Sequence, residues 1–306
     1  MAFVTRFAPS PTGPLHLGHA YSALLAHDMA RAEGGKFLLR IEDIDRSRCR
    51  PEWECQIYDD LQWLGLRWDA VPLRQSDRRD TYQKALDELW ALGLIYPCIC
   101  SRRDIETAQA APQEGASLLF GLDGMPYPRT CRSRMAYERR FPEQYPRPTN
   151  TTLRIELDRV ADSVFEHRTN SVGNDWQSYA CYHETGIGPQ LTRGLIEFSR
   201  EELGVFVGDF VIAGRDTNTS YHLSVVLDDA AQGVTHVVRG ADLTEYTKIH
   251  ALLQRLLGLP TPIYHHHRLI RDDQGKRLAK RDDARALSKY RTEGATPADI
   301  RRMVGL

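Results

Sequence analysis

Arg6-Phe7-Ala8-Pro9-Ser10-Pro11-Thr12-Gly13-Pro14-Leu15-His16-Leu17-Gly18-His19 is the stretch whose reading decides the fold. Val4, Phe7 and Ala8 suit a buried strand, and the Pro and Gly residues from 9 to 14 must end it. From about Gly18 the spacing predicts a helix, with Leu17, Tyr21, Leu24, Leu25 and Met29 recurring along one side and Gly34-Gly35 stopping it. A strand, a tight turn and a helix aim free backbone N–H groups and the positive end of the helix at an anion. His16 and His19 stand three apart at that end, so both imidazoles can face one bound group, and Gly18 lets a phosphate approach closely.

Working outward, Lys36 to Ile41 reads as a second apolar strand, and the acidic cluster Glu42-Asp43-Ile44-Asp45 falls at its carboxyl end, where open α/β sheets bind ligands. Pro51 opens a helix to about Leu64, Leu66 to Asp69 reads as a short extended piece, and Asp80 to Leu92 as an amphipathic helix closed by Gly93. Thr151 to Leu157 alternates as a strand does, whereas 158–202 yields no mechanism, its Thr185-Gly186-Ile187-Gly188 being too short for a phosphate loop. Asp209 to Ile212 is a short buried strand, Val234 to Val238 a parallel-type strand, Thr244 to Leu257 its crossover helix and Ile263 to Leu269 a last strand. The three histidines 265–267 read as strand residues. This alternation predicts an α/β fold: one doubly wound, mainly parallel nucleotide-binding sheet, split by an insertion. The expected divisions are 1–95, the first half of the catalytic domain; 96–150, the insertion; 151–260, the second half; and 261–306, a loop and short basic tail.

The 306 residues are 42% hydrophobic and 26% charged, the composition of a globular protein with a real core. No apolar run reaches the roughly eighteen residues of a membrane helix, and no apolar leader precedes Arg6, so a cytoplasmic protein is expected. With 40 basic against 41 acidic residues there is no overall field to attract nucleic acid. Two local patches could supply one: the arginines 129, 132, 134, 139, 140 and 147, and the basic stretch after Arg268. Of six cysteines, 49, 55 and 181 are scattered and read as packing residues. Cys98 and Cys100 are close enough to share one ion, and Cys131 could close a zinc site that staples the insertion. No histidine lies between 98 and 131, so a fourth ligand must be of another kind.

The lead-in to His16-Leu17-Gly18-His19 closely resembles the nucleotide-binding signature of class I aminoacyl-tRNA synthetases, in the subfamily that activates glutamate or glutamine. The resemblance implies that His16, Gly18 and His19 bind ATP and that Arg6, Ala8, Ser10, Glu42, Tyr221 and Arg239 bind glutamate, with Glu42 on its ammonium. Arginine holds a carboxylate with parallel hydrogen bonds, which makes Arg6 and Arg239 the pair for the two carboxylates. Lys280 stands where the family keeps the second lysine of its Lys-x-Ser-Lys signature; the first lysine is Arg277 here and the serine Ala279. His16, His19 and Lys280 are thus the expected catalytic groups on the phosphates, with Mg²⁺. The Cys-x-Cys…Tyr-x-x-x-Cys pattern is similar to that of the glutamyl-queuosine branch, and the resemblance supplies Tyr127 as the fourth zinc ligand. That branch loads glutamate onto the queuosine base of tRNA(Asp) and carries no anticodon-binding domain, matching a chain that stops about twenty-five residues after Lys280. The expectation is a monomer acting on queuosine-bearing tRNA(Asp). A catalytic fragment of a glutamyl-tRNA synthetase, a carboxylate-adenylating enzyme with another acceptor, and a silent RNA-binding paralogue (suggested by Ala279) also fit the motifs.

Overall fold

A computed structural model describes residues 2–110, 127–134, 145–165, 168–169, 175–176, 180–188, 191–271 and 285–306. Strand β1 (Val4–Phe7), helix α1 (Leu17–Ala32) and strand β2 (Lys36–Ile41) form a parallel β-α-β unit, with Arg6 opposite Leu38. Helix α2 (Pro51–Trp63) leads to a short strand β3 (Leu73–Arg74) beside β2, and helix α3 (Arg79–Ala91) follows. The extended piece expected at Leu66–Asp69 is not a strand. Asp69 is anchored there by its own N–H to the Phe37 carbonyl at 2.9 Å, and the strand pairing with β2 is made further on, by Leu73 and Arg74.

The middle of the chain departs from a single sheet. Strands β4 (Ile95–Cys98) and β5 (Thr152–Ile155) pair antiparallel, with helices α4 (Arg102–Ala110) and α5 (Thr130–Arg134) between them in sequence. After helix α6 (Leu157–Val164) come the paired strands β6 (Arg168–Thr169) and β7 (Asp175–Trp176), the hairpin β8 (Ala180–Glu184) and β9 (Gly194–Phe198), and helix α7 (Arg200–Phe206). Strand β10 (Val211–Ala213) then pairs antiparallel with β5. The 151–157 and 209–212 segments each contain an expected strand, Thr152–Ile155 and Val211–Ala213, though Leu157 already opens the next helix, and both strands sit in this separate β10-β5-β4 sheet. A short buried apolar run does not reveal which neighbour it pairs with, which is why alternation alone assigned them to the main sheet.

Helix α8 (Tyr221–Ala231), strand β11 (His236–Gly240), helix α9 (Tyr246–Leu256) and strand β12 (Ile263–His267) restore the parallel order. β12 pairs parallel with β8. β11 lies next to β1, where the Thr235 N–H donates to the Val4 carbonyl at 3.0 Å. The chain therefore winds outward from the β1–β11 centre in both directions. Val237 and Val238, successive residues of β11, enter two different apolar cores, so the sheet is covered on both faces. Helices α10 (Leu287–Thr292) and α11 (Pro297–Val304) bury Leu287, Ile300 and Val304 in the core that also holds Leu17 and Leu24 of α1. Arg301 clamps Asp28 of α1 with bonds of 2.6 and 2.9 Å. The end of the chain is a packed pair of helices, not a free basic arm.

Cys55 and Cys181 prove to be exposed, contrary to their reading as packing residues. Asp60 on α2 is the reverse case: it is 1% exposed, and neither carboxylate oxygen has a hydrogen-bond partner. Burial, with the Asp59 charge next to it, pushes its carboxyl up from 3.8 to about 6. A carboxyl whose folded value is raised stabilises fully below its unfolded value and loses that contribution as pH rises through the folded one. The loss amounts to about 3 kcal/mol between roughly pH 4 and 7. Asp60→Asn is expected to gain about 1–3 kcal/mol at pH 7.5 and little at pH 4.5. Urea unfolding at both values checks this, and an equal effect at the two would contradict it.

Candidate active site

The carboxyl ends of β1, β2, β11 and β12 open on one cleft of about 410 Å³. Its walls bring together Arg6, Ala8, Ser10, His16, Gly18, His19, Glu42, Tyr221 and Arg239 from five separate segments. Every residue expected to bind glutamate or ATP is there except Lys280, which lies outside the described residues along with Arg277 and Ala279. Asp242, Leu243, His267, Leu269 and Ile270 are among the other lining residues and were assigned no role by motif.

At the mouth, His16 is the N-cap of α1. Its Nδ1 accepts from the Gly18 N–H at 3.1 Å, and His19 Nδ1 accepts from the His16 N–H at 3.2 Å. Two accepting Nδ1 atoms place the ring protons on both Nε2 atoms. The rings lie against each other, 3.8 Å between centroids. The motif thus adds two N–H donors to the positive end of α1, the equipment for a polyphosphate. Gly18 has a second reason to be glycine, since a Cβ there would come within 3.0 Å of the His16 ring. The Leu287 N–H donates to the Leu15 carbonyl at 2.8 Å, so the chain returns to this mouth just after residue 284.

The inner wall is built of charge. Asp229 Oδ1 accepts from Arg6 Nε at 3.0 Å and from Arg40 Nη1 at 2.6 Å, and Arg40 Nη2 reaches Glu42 Oε1 at 3.2 Å. Arg40 is fully buried and Asp229 nearly so. Burial alone would raise the Asp229 carboxyl; the Arg40 and Arg6 charges outweigh it and hold the group below the usual carboxylate range. Burial also pushes Glu42 up, against the pull of Arg40 and Arg6. A cation seated on Glu42 from the cleft would lower it again. Arg6 keeps guanidinium N–H donors that Asp229 does not use.

Arg239 is held from four sides. Nε donates to His266 Nε2 at 3.0 Å, Nη1 to His250 Nδ1 at 3.0 Å, and Nη2 to the Leu243 carbonyl at 3.2 Å and Thr247 Oγ1 at 2.7 Å. Behind it, His266 Nδ1 lies 2.5 Å from Glu184 Oε2, and Glu184 Oε1 accepts from the backbone N–H of His266 at 3.0 Å and of Gly186 at 2.7 Å. Those hydrogen bonds outweigh burial and keep Glu184 low, while burial and the neighbouring Arg239 charge keep His266 low against the pull of Glu184. The pair is a carboxylate facing a neutral imidazole. His250 is likewise held neutral, first by burial and then by Arg239. The unread Gly-Ile-Gly finds its reason here: a Cβ on Gly186 would lie 2.2 Å from the His266 carbonyl oxygen. Residues 265–267 are strand residues as expected, and two of them also serve the site, His266 supporting Arg239 and His267 lining the cleft. Only the pairing of β8 with β12 joins Glu184 to His266, and nothing in the local sequence announces it.

Asp43, the neighbour of Glu42, begins a second cavity of about 480 Å³, walled by Asp45, Arg46, Gln75, Tyr82 and Asn218 among others. It is the larger of the two but holds none of the cationic inner wall or the helix N-terminus.

Away from the cleft, the sulfurs of Cys98, Cys100 and Cys131 lie within 4.8 Å of one another. Tyr127 Oη is 3.3 Å from the sulfurs of Cys98 and Cys100 and accepts from the Cys131 N–H at 3.0 Å. Zn–S bonds of about 2.3 Å give a tetrahedron with edges of roughly 3.8 Å, so three sulfurs and this oxygen fit the donor set of one zinc ion. Arg154 lies over the Tyr127 ring at 3.7 Å, while burial and the hydrogen bonds with the Cys100, Cys98 and Cys131 sulfurs push the Tyr127 hydroxyl up, so in the metal-free cluster the phenol keeps its proton. Burial alone would raise the Cys131 thiol; hydrogen bonds from Tyr127 and the backbone N–H groups of Ile99 and Cys100 outweigh it and bring the thiol to about 7.

The expected RNA patch changes character. Arg129 and Arg132 bind Asp158 at 3.2 and 2.7 Å, Arg132 also binds Glu156 at 3.1 Å, and Arg147 binds Asp87 at 2.7 Å. These three arginines are engaged inside the fold. Arg139 and Arg140 lie outside the described residues.

A family model described as tRNA synthetases class I (E and Q), catalytic domain, matches residues 2–306. The chain is 59% identical to a glutamyl-Q tRNA(Asp) synthetase of Rhodobacter capsulatus, over 99% of this chain and 100% of the relative. It is 39% identical to one of Geobacter sulfurreducens, over 94% of this chain and 78% of that one. Among solved structures, a glutamate tRNA ligase from Elizabethkingia meningosepticum in complex with its amino acid superposes with a TM-score of 0.71 at 25% identity. A glutamate-tRNA synthetase from Elizabethkingia anophelis gives 0.72 at 24%, a likeness of fold. All of this chain is covered in both, and it spans 61% of their length. Among the described residues no helix is long and apolar enough to cross a membrane. The chain belongs to the catalytic-domain family of class I tRNA synthetases for glutamate and glutamine, which are ligases, and within it stands with the glutamyl-Q tRNA(Asp) synthetases.

Proposed function

We propose that this protein activates glutamate with ATP in the absence of tRNA, and then transfers the glutamyl group to the queuosine base at the wobble position of tRNA(Asp). The observation that carries the reading is the convergence in one cleft of an acidic group, two arginines and an imidazole-flanked helix N-terminus. Glu42 takes the ammonium of glutamate. Arg6, Arg239 and the Tyr221 hydroxyl take its carboxylates, with Ala8 and Ser10 shaping the floor. The His16 and His19 Nε2–H donors and the N–H groups opening α1 take the triphosphate, and Lys280, outside the described residues, is the further cation we assign to it. Magnesium accompanies the triphosphate and offsets its charge.

In the first step a glutamate α-carboxylate oxygen attacks the α-phosphorus, the bond to the β-phosphate oxygen breaks, and pyrophosphate leaves. The protein contributes positioning and charge. In the second, a queuosine hydroxyl attacks the activated carbonyl carbon and AMP leaves. The cavity that begins at Asp43 gives a second substrate room beside the first. No covalent enzyme intermediate is required. Cys98, Cys100, Tyr127 and Cys131 would hold a zinc ion whose role would be structural, tying the residues between β4 and β5 to the β4–β5 base. We place the protein in the cytoplasm, with tRNA and ATP, as a monomer divided as 1–95, 96–150, 151–260 and 261–306.

Glutamate-dependent exchange of pyrophosphate into ATP is expected without any tRNA. Exchange that appears only on adding tRNA would favour an ordinary glutamyl-tRNA synthetase instead.

A further inference from the structure

Arginine has five N–H donors and no acceptor. Four of those on Arg239 meet internal partners, which leaves one Nη1–H for the cleft. Because arginine only donates, His266 Nε2 and His250 Nδ1 must both accept, and the remaining protons are fixed by exclusion. His266 carries its proton on Nδ1 and donates it to Glu184, 2.5 Å away. His250 carries its proton on Nε2 and donates it to His222 Nδ1 at 3.2 Å. The chain Glu184–His266–Arg239 therefore has one hydrogen-bond direction, set at one end by a carboxylate and at the other by a guanidinium.

We propose that Glu184 and His266 are positioning residues that fix the plane of the Arg239 guanidinium and so make the cleft demand a carboxylate, not an amide, from its amino-acid substrate. This rests on the glutamate reading above and deepens it. Three structural features support a rigid device. Glu184 and His266 are 1% and 0% exposed, so neither can exchange its partner for water. Both Glu184 oxygens are used, one on the imidazole and one on two backbone N–H groups. Gly186 permits the close approach that brings the end of β8 against β12. The imidazole transmits orientation because it is neutral and can take only one tautomer between these neighbours. A carboxylate offers the fixed Nη1–H either of two accepting oxygens and pairs its charge with the guanidinium, whereas a terminal amide has one accepting oxygen, must keep its N–H₂ turned away from Arg239 and brings no charge to the pair.

The test compares the wild type with Glu184→Gln, which removes the charge and keeps the shape, Glu184→Asp, which keeps the charge, and His266→Phe. The readouts are the KM for glutamate, the KM for ATP and inhibition by glutamine in pyrophosphate exchange. Glu184→Gln and His266→Phe should raise the glutamate KM about 10- to 100-fold and narrow the preference for glutamate over glutamine, as removal of orienting partners does elsewhere. The ATP KM should stay within about threefold, since the phosphate groups come from α1. Glu184→Asp should recover part of the loss. A general structural role would move both constants together. A wild type active in exchange whose variants keep an unchanged glutamate KM would overturn this inference and leave the glutamate reading standing. For variants that fail to fold, or a wild type without exchange, long-range ¹H–¹⁵N spectra of the wild type decide the matter. His266 must appear as the Nδ1–H tautomer, and the Nε2–H tautomer would refute the proposal.

Discussion

Asp229→Ala is expected to destabilise the fold by about 3–5 kcal/mol, the usual cost of removing one partner from a buried ion network. Asp229 neutralises two guanidinium groups at once, and both Arg6 and Arg40 lie at 5% exposure or less by side chain. With the carboxylate gone, Arg40 retains Gln232 Oε1 at 3.0 Å and Glu42 at 3.2 Å, so its charge falls on Glu42. Glu42 is then drawn away from a substrate ammonium, and Arg6 loses the bonds that hold its plane. Stability and glutamate activation should fall together, with Asp229→Asn intermediate, because an amide still accepts from one arginine. Urea unfolding and pyrophosphate exchange on the same preparations check this. A loss below about 1 kcal/mol would show that water screens the quartet far better than its burial implies.

Cys131→Ser is the second change with a large expected effect. It replaces one of three thiolates by a poor zinc ligand. The native protein is expected to carry one zinc per chain and the variant almost none. In small zinc modules the binding free energy is folding free energy, and among the described residues the 99–151 segment is tied to the rest by the β4–β5 base, the Arg129 and Arg132 pairs, Arg147 on Asp87 and the Trp90 Nε1–H on the Tyr145 carbonyl. Proteolysis within that segment should accelerate strongly. Glutamate activation should change little, since the cleft draws on none of these residues, while transfer to RNA should fall. Freshly purified wild type without zinc, yet resistant to protease across the segment, would contradict the assignment.

The legible parts of the sequence were those whose meaning is local. The Arg6–His19 stretch announced its strand, turn and helix because proline, glycine and an N-capping side chain act on their immediate neighbours. Lys36–Ile41 was read to the residue for the same reason, and Cys98, Cys100 and Cys131 declared themselves by residue type. What escaped was pairing at a distance. The β10-β5-β4 sheet joins residues more than fifty positions apart, and no periodicity says which buried strand meets which. The support behind the site was invisible for the same reason. Asp229 reaches Arg6 across 223 positions and Glu184 reaches His266 across 82, and each looks in sequence like an ordinary helix or strand residue. Charge counting misled in its own way, because it cannot tell an arginine facing solvent from one such as Arg132, already bound to Glu156 and Asp158.

The central claim is that glutamate goes to a modified base, and the substrate RNA decides it. The measurement is transfer of labelled glutamate, with ATP, to tRNA(Asp) carrying queuosine and to the same tRNA made without it, at matched concentration and salt. Attachment to the queuosine-bearing tRNA alone is expected, with label surviving removal of the terminal adenosine. Equal charging of the unmodified tRNA, or label lost with that terminal adenosine, would contradict it.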